Sequence, residues 1–235
     1  MSVPGRDCDT IKTFDKKEGG QAGIISCITV SFLNATFYFR FNDAFKKNYI
    51  FTYFQFNPAM EQVYALGSYS RSLGVYLMDE RSQLLCILEG QKGGLTHLKF
   101  TPDGTKLIAG GRKDNDLLVW DMRQPGELYA VLNRTVETNQ RIYFDVDSKG
   151  KYVMTGNTNG SVTAWDLASS STLTTNVEDK VIPPVTEIKN LHQDAINGCS
   201  IHPWLPMIST CSGQRHIQCP MLIDDKGNCN LTKRI

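Results

Sequence analysis

Two near-copies of one pattern lie end to end between residues 93 and 168, and they restrict the fold more than any other stretch of the chain. The first runs GGLTHLKFTPDGTKLIAGG and continues to LLVWD; the second is QRIYFDVDSKGKYVMTGNTNGSVTAWD. In each, a β-run reaches a polar turn holding Gly104 or Gly150, a second run ends at Gly110 or Gly156, and a third closes on Trp120-Asp121 or Trp165-Asp166. Leu117, Val119 and Asp121 alternate with Leu118 and Trp120, separating two faces as the side-chain period of a strand requires. The two Trp-Asp pairs stand 45 residues apart, inside the roughly 40–45 residue period of a repeated four-stranded sheet. One such sheet cannot bury both of its faces, so the pattern demands neighbours stacked on each side.

Those neighbours are legible. Upstream, FNPAMEQVYALGSYSRSLGVYLMD puts Phe56 over Phe100, Pro58 over Pro102 and Tyr76 over Trp120. Downstream, AINGCSIHPWLPMISTCSGQR puts Ile201 and Pro203 where Phe100 and Pro102 stand, and the pattern stops before a third strand. The reading is an all-β chain forming a partial WD-repeat β-propeller of about four blades. Residues 1–29 are assigned to the end of a preceding blade and the first strand of the next, with Gly23 to Thr29 as that strand. Residues 56–92 complete this degenerate blade, 93–134 and 135–190 are the two WD blades, 191–219 an incomplete blade and 220–235 a tail. The Ser/Thr-rich stretch from Ala168 to Asn190, ending in a Pro-Pro pair, is expected to be a long exposed loop by the outer strand.

Residues 30–55 follow none of this. VSFLNATFYFRFNDAFKKNYIFTYFQ holds 10 of the chain's 20 Phe and Tyr in 26 residues, with neither a helical stripe nor a glycine-based turn. Three readings compete: an interfacial membrane segment, an extra hairpin, or translated intron. The intron reading has coding-level support, since removing the stretch joins ISCIT to FNPAM in the manner of LTHLKF-TPDG. Val-Ser is what a splice donor encodes, and Phe-Gln suits a pyrimidine-rich acceptor.

Composition matters chiefly for what it excludes. A net charge of +1 rules out a broadly basic field, so a nucleic-acid site has to be a local patch. Seven cysteines without CxxC pairs, behind a polar start, read as a reduced intracellular chain. No run of about 18 apolar residues marks a transmembrane helix. Enzyme motifs such as GxSxG, the P-loop and HExxH are missing, so no catalytic residue, cofactor or small-molecule substrate is assigned. Cys199-x2-His202 with His216-x2-Cys219 has metal-like spacing, but residues three apart on a strand point to opposite faces, which favours buried thiols over zinc.

The informative positions are the loops joining the second and third strands of each blade. They hold Arg71, Arg112 with Lys113, and Arg215, while Lys92 and Arg141 occupy the adjacent connections between blades. A propeller gathers these loops on one face, so a neutral chain acquires a basic rim, with Tyr69 and Tyr143 as stacking surfaces. Arginine and flat aromatic groups together suit single-stranded RNA. Against this stands a solvated surface whose cations pair with Asp114 and Asp116. A separate candidate is the WDMR box, Trp120 to Arg123, of the kind used by ubiquitin-ligase substrate adaptors; the bland reading is an arginine capping the strand end.

Several adjacent motifs, VPGRDC, GIISCI, GSYSRSLG, GGRKD-x2-LLVWDMRQ and TNQRIYFD, resemble the telomerase Cajal body protein family. The resemblance covers about residues 1–29 and 56–215. It implies a seven-bladed propeller, binding of the CAB box in small Cajal body RNA and telomerase RNA, association with a dyskerin-containing ribonucleoprotein, and a place in the nuclear Cajal body. On that footing the RNA-contacting candidates are Arg71, Arg112, Lys113, Gln140, Arg141 and Arg215. A ring begun and ended part-way exposes unpaired strand edges, so this polypeptide is expected to be a fragment or faulty gene product, poorly soluble alone. The alternative function is a protein-interaction propeller without RNA.

Overall fold

The computed structural model describes residues 51–78, 83–169, 180–213, 222–223 and 229–230, and those residues contain no α-helix. The chain runs β1 (Phe51–Phe56), β2 (Val63–Ser68), β3 (Leu73–Leu77), β4 (Gln83–Leu88), β5 (Leu95–Phe100), β6 (Lys106–Gly111), β7 (Asp116–Asp121) and β8 (Leu128–Asn133). It continues through β9 (Phe144–Val146), β10 (Tyr152–Gly156), β11 (Val162–Asp166), β12 (Val181–Ile182), β13 (Thr186–Ile188), β14 (Ile196–Ile201) and β15 (Ile208–Ser212). Blade one is the antiparallel sheet β1-β2-β3-β4, blade two is built on β5-β6-β7-β8, and blade three is β9-β10-β11-β13. Blade four is represented by the pair β14-β15. This is the partial WD-type propeller that the Trp-Asp spacing predicts.

Register carries the repeat from blade to blade. Gly67 pairs with Leu73, Gly110 with Leu117 and Gly156 with Val162, so the three inter-strand loops start from equivalent places. The third and fourth strands of blades one and two share even their bulge, at Val75/Tyr76 and Val119/Trp120. Tyr76 therefore occupies the place of Trp120, as the sequence alignment requires.

The sheets stack face to face. Val63, Ala65, Leu73, Val75 and Leu88 of blade one pack against Leu118, Trp120 and Val131 of blade two. The opposite face of blade two, with Ile108, Leu117, Val119 and Leu132, packs against Phe144, Val153 and Trp165 of blade three. Most of these side chains are fully buried, and each contributes about 1.5–3 kcal/mol through the water it no longer orders. Alternation within one strand thus serves two cores, which is why the repeat cannot stand alone.

Three features of the structure go beyond the sequence reading. The first strand of blade one among the described residues is Phe51–Phe56, and five of its six residues come from the aromatic stretch treated above as an insert. FTYFQF directly precedes the turn and is made of strand formers, so it supplies the pairing row that β2 requires. Gly23 to Thr29 lies outside the described residues. Within Ala168 to Asn190, β12 adds a fifth strand to blade two, parallel to β8 with Val181 opposite Val131 and Ile182 opposite Leu132, before the chain returns as β13 of blade three. Ile182 is buried; a two-residue strand is too short to reveal a period. In the tail, a short ladder pairs β16 (Leu222–Ile223) with β17 (Cys229–Asn230).

Candidate nucleic-acid interface

The loops between second and third strands join a continuous rim. In the β2–β3 loop, Ser68 accepts the N–H of Arg71 at 3.3 Å and donates its own to Ser72, leaving Tyr69, Ser70 and Arg71 at the tip. The Arg112 guanidinium of the β6–β7 loop lies 4.6 Å from the centre of the Tyr69 ring, linking blades one and two. Lys113 follows, donating its N–H to the Thr138 carbonyl at 3.3 Å; the Thr138 hydroxyl accepts the Gln140 N–H at 3.1 Å. Gln140 then meets Asn197 of β14, whose Nδ2 also donates to the Arg141 carbonyl at 3.2 Å. The rim therefore runs from blade one to blade four through direct contacts.

Buried polar groups hold these loops. Asp114, almost fully buried, accepts the backbone N–H groups of Lys92 at 2.8 Å and Gly93 at 3.3 Å. Gln91, also buried, donates to the Ala109 carbonyl at 3.2 Å. Arg134 is buried and spans the carbonyls of Gly111 at 3.1 Å, Asp114 at 3.3 Å and Ile142 at 3.4 Å. Burial pulls its pKa down to about 10, with Asp114 pulling the other way, so it stays charged at neutral pH. Arg134 thus clamps the loop carrying Arg112 and Lys113 to the connection carrying Gln140 and Arg141.

Charges on the inner strands are committed to the fold. Lys99 of β5 pairs with Asp145 of β9, whose Oδ2 accepts the Ile201 N–H of β14 at 2.8 Å, so one carboxylate joins blades two, three and four. Burial works against the Asp145 anion, but the Lys99 ammonium and the Ile201 and Val146 N–H groups outweigh it and hold the carboxyl below its usual value. His97 is packed among Tyr53, Tyr143 and Phe144, with ring centres 4.6, 4.9 and 4.5 Å away. Its Nε2 lies 3.1 Å from the Phe144 carbonyl, so Nε2 carries the proton and donates. Burial, reinforced by Lys99, brings its pKa down to about 3.

Of the predicted contact residues, Arg71, Arg112 and Lys113 lie on the rim and make no ion pair with a carboxylate among the described residues. Arg71 and Lys113 are exposed. The bland alternative had these cations pairing with Asp114 and Asp116, yet Asp116 pairs with Lys92 at 2.6 Å instead. Gln140 is engaged by Asn197 at 2.5 Å, and Arg141 is half-buried, so both belong as much to the seam between blades three and four as to the surface. Arg215 lies outside the described residues. Arg134, His97 and Asp145 escaped the sequence reading as functional positions; a polar residue inside an apolar strand run was the signal for the last two, and Arg134 carried none.

Two weaker motifs resolve into local structure. Arg123 of the WDMR box folds back on Asp121, with Nη2 to Oδ2 at 2.6 Å and Nε to Oδ1 at 3.0 Å, and caps the end of β7. Cys199 donates to the carbonyls of Tyr143 at 3.4 Å and Met154 at 3.3 Å, and burial raises its thiol pKa to about 12. His202 instead accepts the N–H groups of Trp204 and Leu205 at its Nδ1. His216 and Cys219 lie outside the described residues, among which no group of three or more ligating side chains comes together.

The WD domain, G-beta repeat family matches residues 82–121. Telomerase Cajal body protein 1 of Mus musculus is 42% identical over 230 residues, covering 98% of this chain and 37% of the mouse protein. The Homo sapiens protein of the same name is 41% identical over 224 residues, or 95% of this chain and 34% of its own length. A Drosophila melanogaster homolog is 37% identical over 135 residues, 56% of this chain and 22% of its own. The chain thus spans little more than a third of the length of the curated vertebrate relatives it matches.

Proposed function

The chain belongs to the telomerase Cajal body protein family across the stretch it shares with these relatives, and from that premise we propose that it is an RNA-binding scaffold of a nuclear ribonucleoprotein. Its RNA is of the small Cajal body and telomerase class, its protein partner is the dyskerin-containing particle, and its place is the Cajal body. The relatives' name, which joins telomerase to that body, supports the RNA class and the location.

One observation carries the RNA reading. Lys92, Lys99, Arg123, Lys151, Lys180 and Lys189 all pair with carboxylates, whereas Arg71, Arg112 and Lys113 of the rim loops pair with none among the described residues. Cations left unneutralised on a protein of net charge +1 are poised for an anionic ligand, and the Tyr69–Arg112 stack adds a flat element that suits unpaired bases. Phosphate contacts of this kind supply affinity that falls steeply with salt.

Crosslinking in cells tests the proposal. Recovery of small nuclear RNAs with the chain, reduced about tenfold by Arg112→Ala with Lys113→Ala, is the expected result. Recovery of cullin adaptors without RNA would instead establish the protein-only scaffold.

A further inference from the structure

Counted between the paired residues Gly67–Leu73 and Gly156–Val162, the β2–β3 and β10–β11 connections each hold five residues, and they share the same closing hydrogen bonds, from Arg71 N–H to the Ser68 carbonyl and from Gly160 N–H to the Asn157 carbonyl. Arg71 and Gly160 are therefore the same position in two blades, and both have left-handed backbone, with φ of 66° and 76°. Glycine adopts that conformation freely and arginine does not. In blade three glycine is obligatory for a second reason, since a Cβ there would come within 2.0 Å of the His192 carbonyl oxygen. Lys113, in a β6–β7 loop one residue longer, has φ of 47°. The remaining non-glycine residue with left-handed backbone among those described is Asn190, a type that tolerates it.

Arginine and lysine are thus held in a conformation that disfavours them, at two neighbouring loops of one rim, with exposed side chains and no ion pair among the described residues. Among the described residues, no hydrogen bond or ion pair rewards their side chains. We infer that Arg71 and Lys113 are retained for an external anion, and that the fold gives up stability to present them: they are the residues that grip the phosphodiester backbone of the RNA. This rests on the RNA reading above and divides the labour within it, with phosphate held at the left-handed tips and the Tyr69–Arg112 stack facing a base. Strain of this kind persists where function requires it.

The test is Arg71→Gly in the full chain, measured against a fluorescein-labelled single-stranded RNA by anisotropy over a range of salt, with thermal unfolding in parallel. Removing strain and one phosphate contact together should leave Tm unchanged or raise it by about 2 °C. Affinity should fall about three- to tenfold, with the salt slope shallower by about 0.7. Arg71→Lys keeps the charge and should retain the parent's salt slope while losing less affinity than Arg71→Gly. Unchanged affinity in Arg71→Gly while Arg112→Ala binds weakly would overturn this inference and leave the RNA reading standing. Unchanged affinity in both would overturn the RNA reading itself. A fall in Tm for Arg71→Gly would show that the fold needs the arginine, and would also overturn the inference.

Discussion

The rim loops and the inner strands both carry charge, and they use it in opposite ways. On the inner strands, Lys99, Asp145 and the Ile201 N–H form a staple across three blades, and His97 is walled in by rings from β1, from β9 and from Tyr143 just before it. On the rim, Arg71, Arg112 and Lys113 touch no carboxylate among the described residues, and two of them sit on left-handed backbone. A charge taken out of water has to be satisfied by its neighbours or it destabilises the fold; a charge at a loop tip keeps its water until a ligand displaces it. The inner strands therefore spend polarity on cohesion, while the rim holds it in reserve.

The largest effect that would sharpen this contrast is Asp145→Ala. It strands Lys99 and frees the Ile201 N–H, so urea unfolding should show a loss of about 3 kcal/mol; a loss under about 1 kcal/mol would mean that the staple is not cohesive. Next comes acid sensitivity at His97. The unfolded chain titrates this residue near 6.5 and the fold near 3, so the fold holds it neutral where the unfolded chain would take up a proton. That stabilisation is complete above pH 6.5 and is lost as pH falls toward 3. Between pH 6.5 and 5 it should remove about 2 kcal/mol, and His97→Phe should flatten that part of the profile in denaturation series at each pH. The smallest effects belong to the rim. Arg112→Ala should cost about 0.5–1 kcal/mol, for the stack on Tyr69, and Lys113→Ala less than about 0.5 kcal/mol. A rim variant that unfolds the protein would break the comparison.

Some of this was legible before any coordinates. Phe100, Pro102, Gly104 and Trp120 recur at Ile201, Pro203, Gly150 and Trp165 because each blade repeats one solution to the same packing problem. The shared rim could be read as well, since loops at one position of a repeat emerge on one face. Placing Arg71, Arg112 and Lys113 on that rim needed only this. Gln140 and Arg141 were harder, because their engagement with Asn197 joins residues more than 50 positions apart. Phe51–Phe56 as the first strand of blade one, and β12 on the edge of blade two, follow from pairing competition that local pattern does not record.

By itself the amino-acid order determined the architecture, because side-chain alternation and a repeat near 45 residues leave few other ways to bury both faces of each sheet. Only the tertiary structure decided which charges are free. Pairing depends on which side chains approach across blades, and neither Lys92 taking Asp116 nor Lys99 taking Asp145 is written in any local stretch. It also decided that Arg71 stands in a glycine's place, since the sign of φ is set by how a loop closes between two strands rather than by the residue that occupies it.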